Sequence, residues 1–338
     1  MADVAAVDIG GTRLKAAIVH DDGTHELART FPTPPDLEFR LGEVVGQIVQ
    51  ELALDLGRRP AAVGLAAPGL VDDTRAIGVF SANLGWRALD LRRPIAEATG
   101  LPVAVGHDVR AGLVAEAWVG AAQGCSDVAF VPIGTGISAA LLVDGRELVA
   151  GGFAGEIGHV VVAPGGPACG CGGRGCLEAV ASAAAIARTY AERTGRSDGT
   201  GRDGTGRGGS GRGDSGRGDG TGRADSAQRS DSSAVEVDAR RVAELVAAGD
   251  PVAIAVWGEA VDQISRVLAM LALASGAQLL VVGGGLAQAG DALLRPLQAG
   301  VTTYGGTLRP LRVVPATLGE FAGCLGAGRL ALRLLERA

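Results

Sequence analysis

Ala6-Val7-Asp8-Ile9-Gly10-Gly11-Thr12, continuing as Leu14-Lys15-Ala16-Ala17-Ile18-Val19 to Asp22-Gly23, is the stretch on which the fold turns. It reads as an apolar strand, a Gly/Thr turn, a second apolar strand and an Asp-Gly turn. The same order returns further on. Phe130-Val131-Pro132-Ile133-Gly134-Thr135-Gly136 is followed by the apolar run Ile137–Val143 and then Asp144-Gly145. A Gly/Thr turn offers free backbone N–H groups and a hydroxyl, which together cradle phosphate oxygens. One such hairpin is weak evidence. Two of them suggest an α/β chain made of two related halves, with a nucleotide clamped from both sides. Neither is a Walker loop, since GxxxxGK[ST] does not occur.

Strands and helices alternate outward from these hairpins. Strands are expected at 4–9, 14–19, 62–66, 103–105, 128–133, 138–143, 160–162, 279–282 and 313–315. Helices are expected at 41–56, 110–118, within 242–273 as a pair with Pro251 opening the second, and at 323–335. The uncharged run 267–290 has the length of a membrane span. It is broken by Ser275, Gly276, Gln278 and Gly283-Gly284-Gly285, so it reads as the end of a buried helix followed by a buried strand.

The 338 residues are enough for two domains, and 47 % hydrophobic residues are enough for sizeable cores. Aromatics are only 3 %, so the cores must be aliphatic. A net charge of −6 opposes a nucleic-acid scaffold, which needs a basic face. The opening residues lack a basic n-region and carry Asp3 and Asp8, so a cytoplasmic protein with no membrane segment is expected. Residues 195–233 break the pattern. They hold 13 Gly, 7 Arg and 6 Asp with no aliphatic Val, Leu or Ile and no aromatic, and read as a disordered insertion.

Three of the five cysteines, Cys169, Cys171 and Cys176, fall within eight residues, ten residues after His159. Thiolates and imidazole in this number suit a tetrahedral structural zinc. The intervening glycines allow the tight turns that bring the sulfurs together. Three clustered cysteines pair badly as disulfides. Cys125 and Cys324 are expected to be reduced core residues. Glu156 and Glu178 flank the knot, which would hold them beside His159 to read a small polar substrate.

Asp8-Ile9-Gly10-Gly11-Thr12 with Lys15, Ala67-Pro68-Gly69, Asn83-Leu84-Gly85-Trp86, Glu156 with His159, and the Cys169–Glu178 segment together resemble the ROK family of sugar kinases and repressors. The likeness runs from about residue 4 to the C-terminus, and within the family it is strongest to bacterial glucokinases. The resemblance implies an actin-like ATPase fold, with two α/β domains around a cleft: 1–108 with about 315–338, and 109–314. It implies ATP, Mg²⁺ and a structural Zn²⁺. Asp8, Gly10, Gly11, Thr12 and Lys15 would form the first phosphate loop, with Asp8 near Mg²⁺. Gly134, Thr135 and Gly136 would form the second, and Gly283, Gly284 and Gly285 would lie against the adenosine. His159, Cys169, Cys171 and Cys176 would hold zinc. Asn83, His107, Asp108, Glu156, His159 and Glu178 would contact a hexose, glucose first, with Asp108 as general base.

The family's usual Asn-Asp pair is His107-Asp108 here, and Pro132 replaces a usual glycine. Other readings are a kinase for N-acetylmannosamine, fructose, allose or mannose, or a non-catalytic sugar-binding regulator. Family repressors carry a helix-turn-helix segment ahead of the first hairpin, and a strand starting near residue 4 leaves no room for one. A homodimer or homotetramer is implied.

Overall fold

The structure is a computed structural model that describes residues 2–81, 83–196, 237–306, 308 and 310–337. The insertion expected at 195–233 lies outside the described residues from position 197 onward.

The first half runs β1 (Val4–Ile9), β2 (Arg13–Val19), β3 (His25–Pro32), α1 (Leu37–Leu56), β4 (Val63–Ala67), β5 (Leu70–Asp72), β6 (Ile77–Phe80), β7 (Arg87–Asp90), α2 (Arg93–Thr99), β8 (Val103–His107) and α3 (Asp108–Val119). The second runs β9 (Val128–Pro132), β10 (Ala140–Val143), β11 (Arg146–Glu147), α4 (Leu177–Ala181), α5 (Ala183–Thr194), α6 (Ala239–Ala247), α7 (Pro251–Ser275), β12 (Leu279–Gly283), α8 (Asp291–Gly305), β13 (Arg312–Pro315) and α9 (Ala322–Glu336).

The echo in the sequence is an echo in topology. One sheet has the order β3-β2-β1-β4-β8 and the other β11-β10-β9-β12-β13. In each, an antiparallel hairpin opens the sheet and two parallel strands extend it: β1 pairs with β2 and β4, and β9 with β10 and β12. The parallel strands β4 and β12 are buried along their whole length, as expected when helices cover both faces of a sheet. A third, small sheet, β5-β6-β7, projects from the first half.

Local chemistry explains the helices. α1 buries Leu37, Leu41, Val44, Val45, Ile48, Val49 and Leu52, a single helical stripe, and Gly57 ends it in the left-handed conformation. Pro251 opens α7, and the Asp250 carboxylate caps it by accepting from the N–H groups of Val252 and Ala253. The stripe of α1 packs against the first sheet. α3 lies between the two halves. Its Ala111 and Ala115 pack with the first sheet and with α9, while Leu113 packs with Val128, Phe130 and Leu142 of the second.

Strand 160–162 does not form. The Cys176 end of the knot leaves only an isolated bridge, Val161 with Cys176, because the backbone turns through a 3₁₀ segment at Ile157–His159. Cys125 is exposed, not a core residue, since it falls in the turns that follow α3, whereas Cys324 is buried as expected. Among the described residues no helix is long and apolar enough to cross a membrane.

The C-terminal α9 returns to the first sheet and passes it at backbone contact. A methyl group at Gly64 of β4 would lie 1.9 Å from the carbonyl oxygen of Ala327, and one at Gly326 would lie 1.8 Å from that of Ala111 in α3. Both obstacles are backbone, so no rotamer change relieves them. Gly326→Ala is therefore expected to cost about 3 kcal/mol, the upper end for overpacking a close-packed contact. Urea unfolding checks it; an unchanged midpoint would show that α9 can ride outward freely.

Candidate active site

The first Gly/Thr turn is held open by its own backbone. Gly10 donates to the carbonyl of Arg13 at 2.9 Å, and the Thr33 hydroxyl donates to the carbonyl of Gly10 at 2.8 Å. Gly11 and Thr12 remain exposed at the tip. Asn83, also exposed, lies next to this tip: its Cβ would be 3.7 Å from a methyl at Gly11. Asp8 and Lys15 face each other across β1 and β2. Lys15 Nζ donates to the carbonyl of Glu320 at 2.7 Å, so in this structure it reaches toward the segment that precedes α9.

The second turn is tighter. Gly134 donates to the carbonyl of Gly136 at 2.9 Å, and Thr135 is exposed. The Gly283–Gly285 segment runs beside it. Ile133 donates to the carbonyl of Gly283, Leu286 donates to that of Ile133, and Gly284 has φ +78° directly against the Ile133 backbone. The structure thus brings 134–136 and 283–285 into one wall, with open space at Gly285.

Asp8 and Glu156 lie close enough to Asp108 for their charges to act on it. Asp108 is the first residue of α3, where β8 ends, and its Oδ1 accepts from the Val109 N–H at 2.8 Å. Burial pushes its carboxyl up to about 7, with the negative charges of Asp8 and Glu156 adding to the effect. The Val109 N–H and the Arg110 charge oppose it. Burial likewise lifts Asp8 to about 6, against the pull of Lys15. His107, directly before, is only 7 % exposed. Burial, helped by the Arg110 charge, depresses its imidazole to about 3, so the ring is neutral. A carboxylate that titrates near neutrality at the head of a helix is suited to take up a proton.

His159, Cys169, Cys171 and Cys176 converge, with their ligand atoms all within 4.8 Å of one another. Cys171 Sγ and Cys176 Sγ are 3.7 Å apart, and Cys169 Sγ is 3.7 Å from His159 Nδ1. Two sulfurs on a tetrahedral zinc, each at about 2.3 Å, would stand about 3.8 Å apart. Donor set and spacing both fit that ion. His159 turns its other nitrogen toward Glu156, with Nε2 3.8 Å from Oε2.

Glu178 is placed differently from Glu156. Cys176 caps α4, and Glu178 in its first turn points back at the second turn, where Oε2 accepts from the Ile137 N–H at 3.2 Å. A methyl at Gly136 would come within 2.7 Å of that oxygen.

Sequence reading missed Arg110. Its guanidinium is buried, with Nε and Nη2 on the two oxygens of Asp73 at 3.0 and 2.8 Å, and Nη2 also donates to the carbonyl of Val71. This fork ties the first turn of α3, and so Asp108, to β5 and the small sheet. The only signal in the sequence was an arginine two positions after Asp108, at the start of the expected helix 110–118.

A family model described as the ROK family matches residues 4–334. A glucokinase of Thermotoga maritima is 30 % identical over 329 residues, which is 96 % of this chain and 95 % of that protein. An N-acetylmannosamine kinase of Citrobacter koseri is 36 % identical over 188 residues, covering 54 % of this chain and 62 % of that protein. Among solved structures, a glucokinase from Streptomyces griseus in complex with glucose and AMPPNP superposes with a TM-score of 0.75 at 29 % identity, covering 98 % of this chain and 99 % of that chain. With its two matching sheets, the fold is that of the actin-like ATPases.

Removing Asp73 would strand a buried guanidinium. The Arg110 side chain is 3 % exposed and that of Asp73 22 %, so Asp73→Ala is expected to destabilise by about 3 kcal/mol, the low end for breaking a buried pair. Denaturant unfolding of the variant checks this; a loss under about 0.5 kcal/mol, as for an exposed pair, would contradict it.

Proposed function

The chain belongs to the ROK family, and we propose that it transfers the γ-phosphoryl group of ATP to a hydroxyl of a hexose, forming glucose 6-phosphate from glucose. The observation that carries the reading is Asp108. It is a carboxylate raised toward neutrality where β8 ends and α3 begins, beside Asp8 and Glu156. In the reaction the sugar hydroxyl gives its proton to Asp108 as its oxygen bonds to the γ-phosphorus. The bond from that phosphorus to the bridging oxygen breaks, and ADP leaves. The backbone N–H groups of Gly11, Thr12, Thr135 and Gly136 would bind the phosphate oxygens, and Gly283–Gly285 would admit the adenosine. Asp8 would hold Mg²⁺, which supplies neutralisation of the charge spread over the phosphates. Asn83, Glu156 and His159 would read the sugar. The lobes would be 1–108 with 315–338, and 109–314, and their closure would exclude water.

The glucokinases of Thermotoga maritima and Streptomyces griseus support glucose. The local likeness to an N-acetylmannosamine kinase supports a second reading, that sugar as acceptor on the same machinery. Zinc would be structural, because His159 and the three cysteines fill a tetrahedron and leave no open position. It would fix His159 and, through it, Glu156.

ADP release with Mg-ATP over a panel of hexoses tests the reading. Turnover is expected on glucose, and Asp108→Asn should lower kcat by about two to four orders of magnitude, the usual worth of a positioned base. A base must be ionised, and burial raises this one to about 7. So kcat/KM should fall as pH drops through about 7. Strong turnover on N-acetylmannosamine alone would move the substrate, and near-normal turnover by Asp108→Asn would remove the base. Elemental analysis is expected to find about one zinc per chain, and chelation to raise the KM for sugar and lower Tm. A protein with full activity and no metal would overturn the structural zinc.

A further inference from the structure

Three segments that are distant in the chain meet at the carbonyl oxygen of Val71, in β5. From α3, Arg110 Nη2 donates to it at 3.0 Å. From the second half, the turn Ala150–Gly152 lies against it: a methyl at Gly152 would stand 2.8 Å from that oxygen and 3.3 Å from the Leu70 side chain. The third segment is β5 itself, which pairs with β6 in the small sheet.

The turn is built for close approach. Ala150, Gly151 and Gly152 take φ values of 45°, 66° and 94° in succession, all in the left-handed region. At Gly152 a side chain would meet both that conformation and the Val71 backbone, so glycine alone is accommodated. The Arg110 side is specified as closely. Its Nε and Nη2 lie along the two Asp73 oxygens at 3.0 and 2.8 Å, which leaves the second Nη2 hydrogen for Val71. Asp73 directly follows β5, so one planar group fixes the end of that strand at two points.

Each of the three segments leads to a residue assigned above to the sugar. Arg110 stands two positions after Asp108, on the first turn of α3. The small sheet carries Asn83 in the turn between β6 and β7, which is closed by the Ser81 N–H donating to the carbonyl of Trp86 at 3.1 Å. The turn Ala150–Gly152 runs on to Glu156 four residues later.

We propose that Arg110 is a positioning residue for the sugar: by holding the Asp73 carboxylate and the Val71 carbonyl together, it sets the small sheet with Asn83, and the turn that leads to Glu156, against the helix that begins with Asp108. The guanidinium does this from within the protein and does not touch the sugar. The proposal rests on Asp108, Asn83 and Glu156 facing one hexose.

Arg110→Lys separates this role from a purely structural one. Lysine keeps the buried cation beside Asp73, but its single nitrogen cannot stand at both the Nε and the Nη2 positions. The hexose KM is expected to rise about tenfold, the worth of a hydrogen bond to a charged group, and kcat to fall, with the KM for Mg-ATP little changed. A lower Tm with the hexose KM unchanged would make the pair structural only and overturn the proposal. Gly152→Ala reaches the same carbonyl without touching the buried charges. It should raise the hexose KM in the same sense, and in the double variant the two factors should not multiply, because both act through Val71. Factors that multiply in full would place the two effects at separate points and overturn the shared joint.

Hydrogen exchange supplies a readout that needs no turnover. In Arg110→Lys the amides of β5, β6 and β7 and of 150–156 should exchange faster, while those of β1 and β2 keep the wild-type rate. Unchanged exchange in those segments, or a rise shared evenly by β1 and β2, would overturn the proposal. The localised rise in a protein that phosphorylates no hexose would uphold the joint and place the failure on the proposed reaction.

Discussion

Two sheets of the same topology are joined at two chain crossings, and both crossings end on one buried carboxylate. Glu116 of α3 is fully buried. Its Oε2 accepts from the Ala121 N–H at 2.7 Å, where the chain leaves α3 for β9. Its Oε1 accepts from the N–H groups of Thr317 and Leu318 at 2.9 and 3.0 Å, and Oε2 also accepts from the Thr317 hydroxyl. That second group lies where the chain returns from β13 to α9. A buried carboxylate is tolerable when its lone pairs are filled, and here they are filled by the backbone of both connections. α3, which carries Glu116, is also the helix whose first residue is Asp108.

The electrostatics of the candidate site follow from acids crowded beside the start of this helix. Asp8 and Asp108 come from the ends of different strands, and each is raised by burial. The charge of Asp8 also disfavours ionisation of Asp108. Lys15 is the nearest cation to Asp8, but its Nζ is directed at the carbonyl and carboxylate of Glu320. Arg110 is spent on Asp73. No side chain of either cation is aimed at Asp108, which is why that carboxyl remains near neutrality while typical paired aspartates are held low.

Much of this was legible in the sequence because it was local. The Gly/Thr hairpins were visible as apolar–turn–apolar patterns, and they became β1-β2 and β9-β10. The cysteine spacing announced a cluster that does converge. What escaped was set by distant partners. β5-β6-β7 consists of short, half-exposed strands, whose alternation is too brief to register and whose anchor, Arg110, is some forty positions away. Nothing in the sequence singled out Glu116, since Thr317 and Leu318 are about two hundred residues distant. Strand 160–162 was inferred from three valines, but β-branched residues fit an exposed bridge beside a knot as well as a sheet, and Val160 and Val161 are exposed.

The knot and the second Gly/Thr turn prove to be one mechanical unit. Ile137 leaves the turn with its N–H given to Glu178, and Glu178 owes its position to α4, which begins at the ligand residue Cys176. On the other side the Ile137 carbonyl packs against Gly158, where a methyl would lie 2.1 Å from the oxygen. Gly158 directly precedes the ligand residue His159. Ile137 is thus in contact with both ends of the cysteine–histidine cluster, by a hydrogen bond through Glu178 on one side and by close packing against Gly158 on the other. The segment that carries Glu156 and His159 and the second Gly/Thr turn are therefore packed on a single residue, a link that neither segment shows in its own sequence.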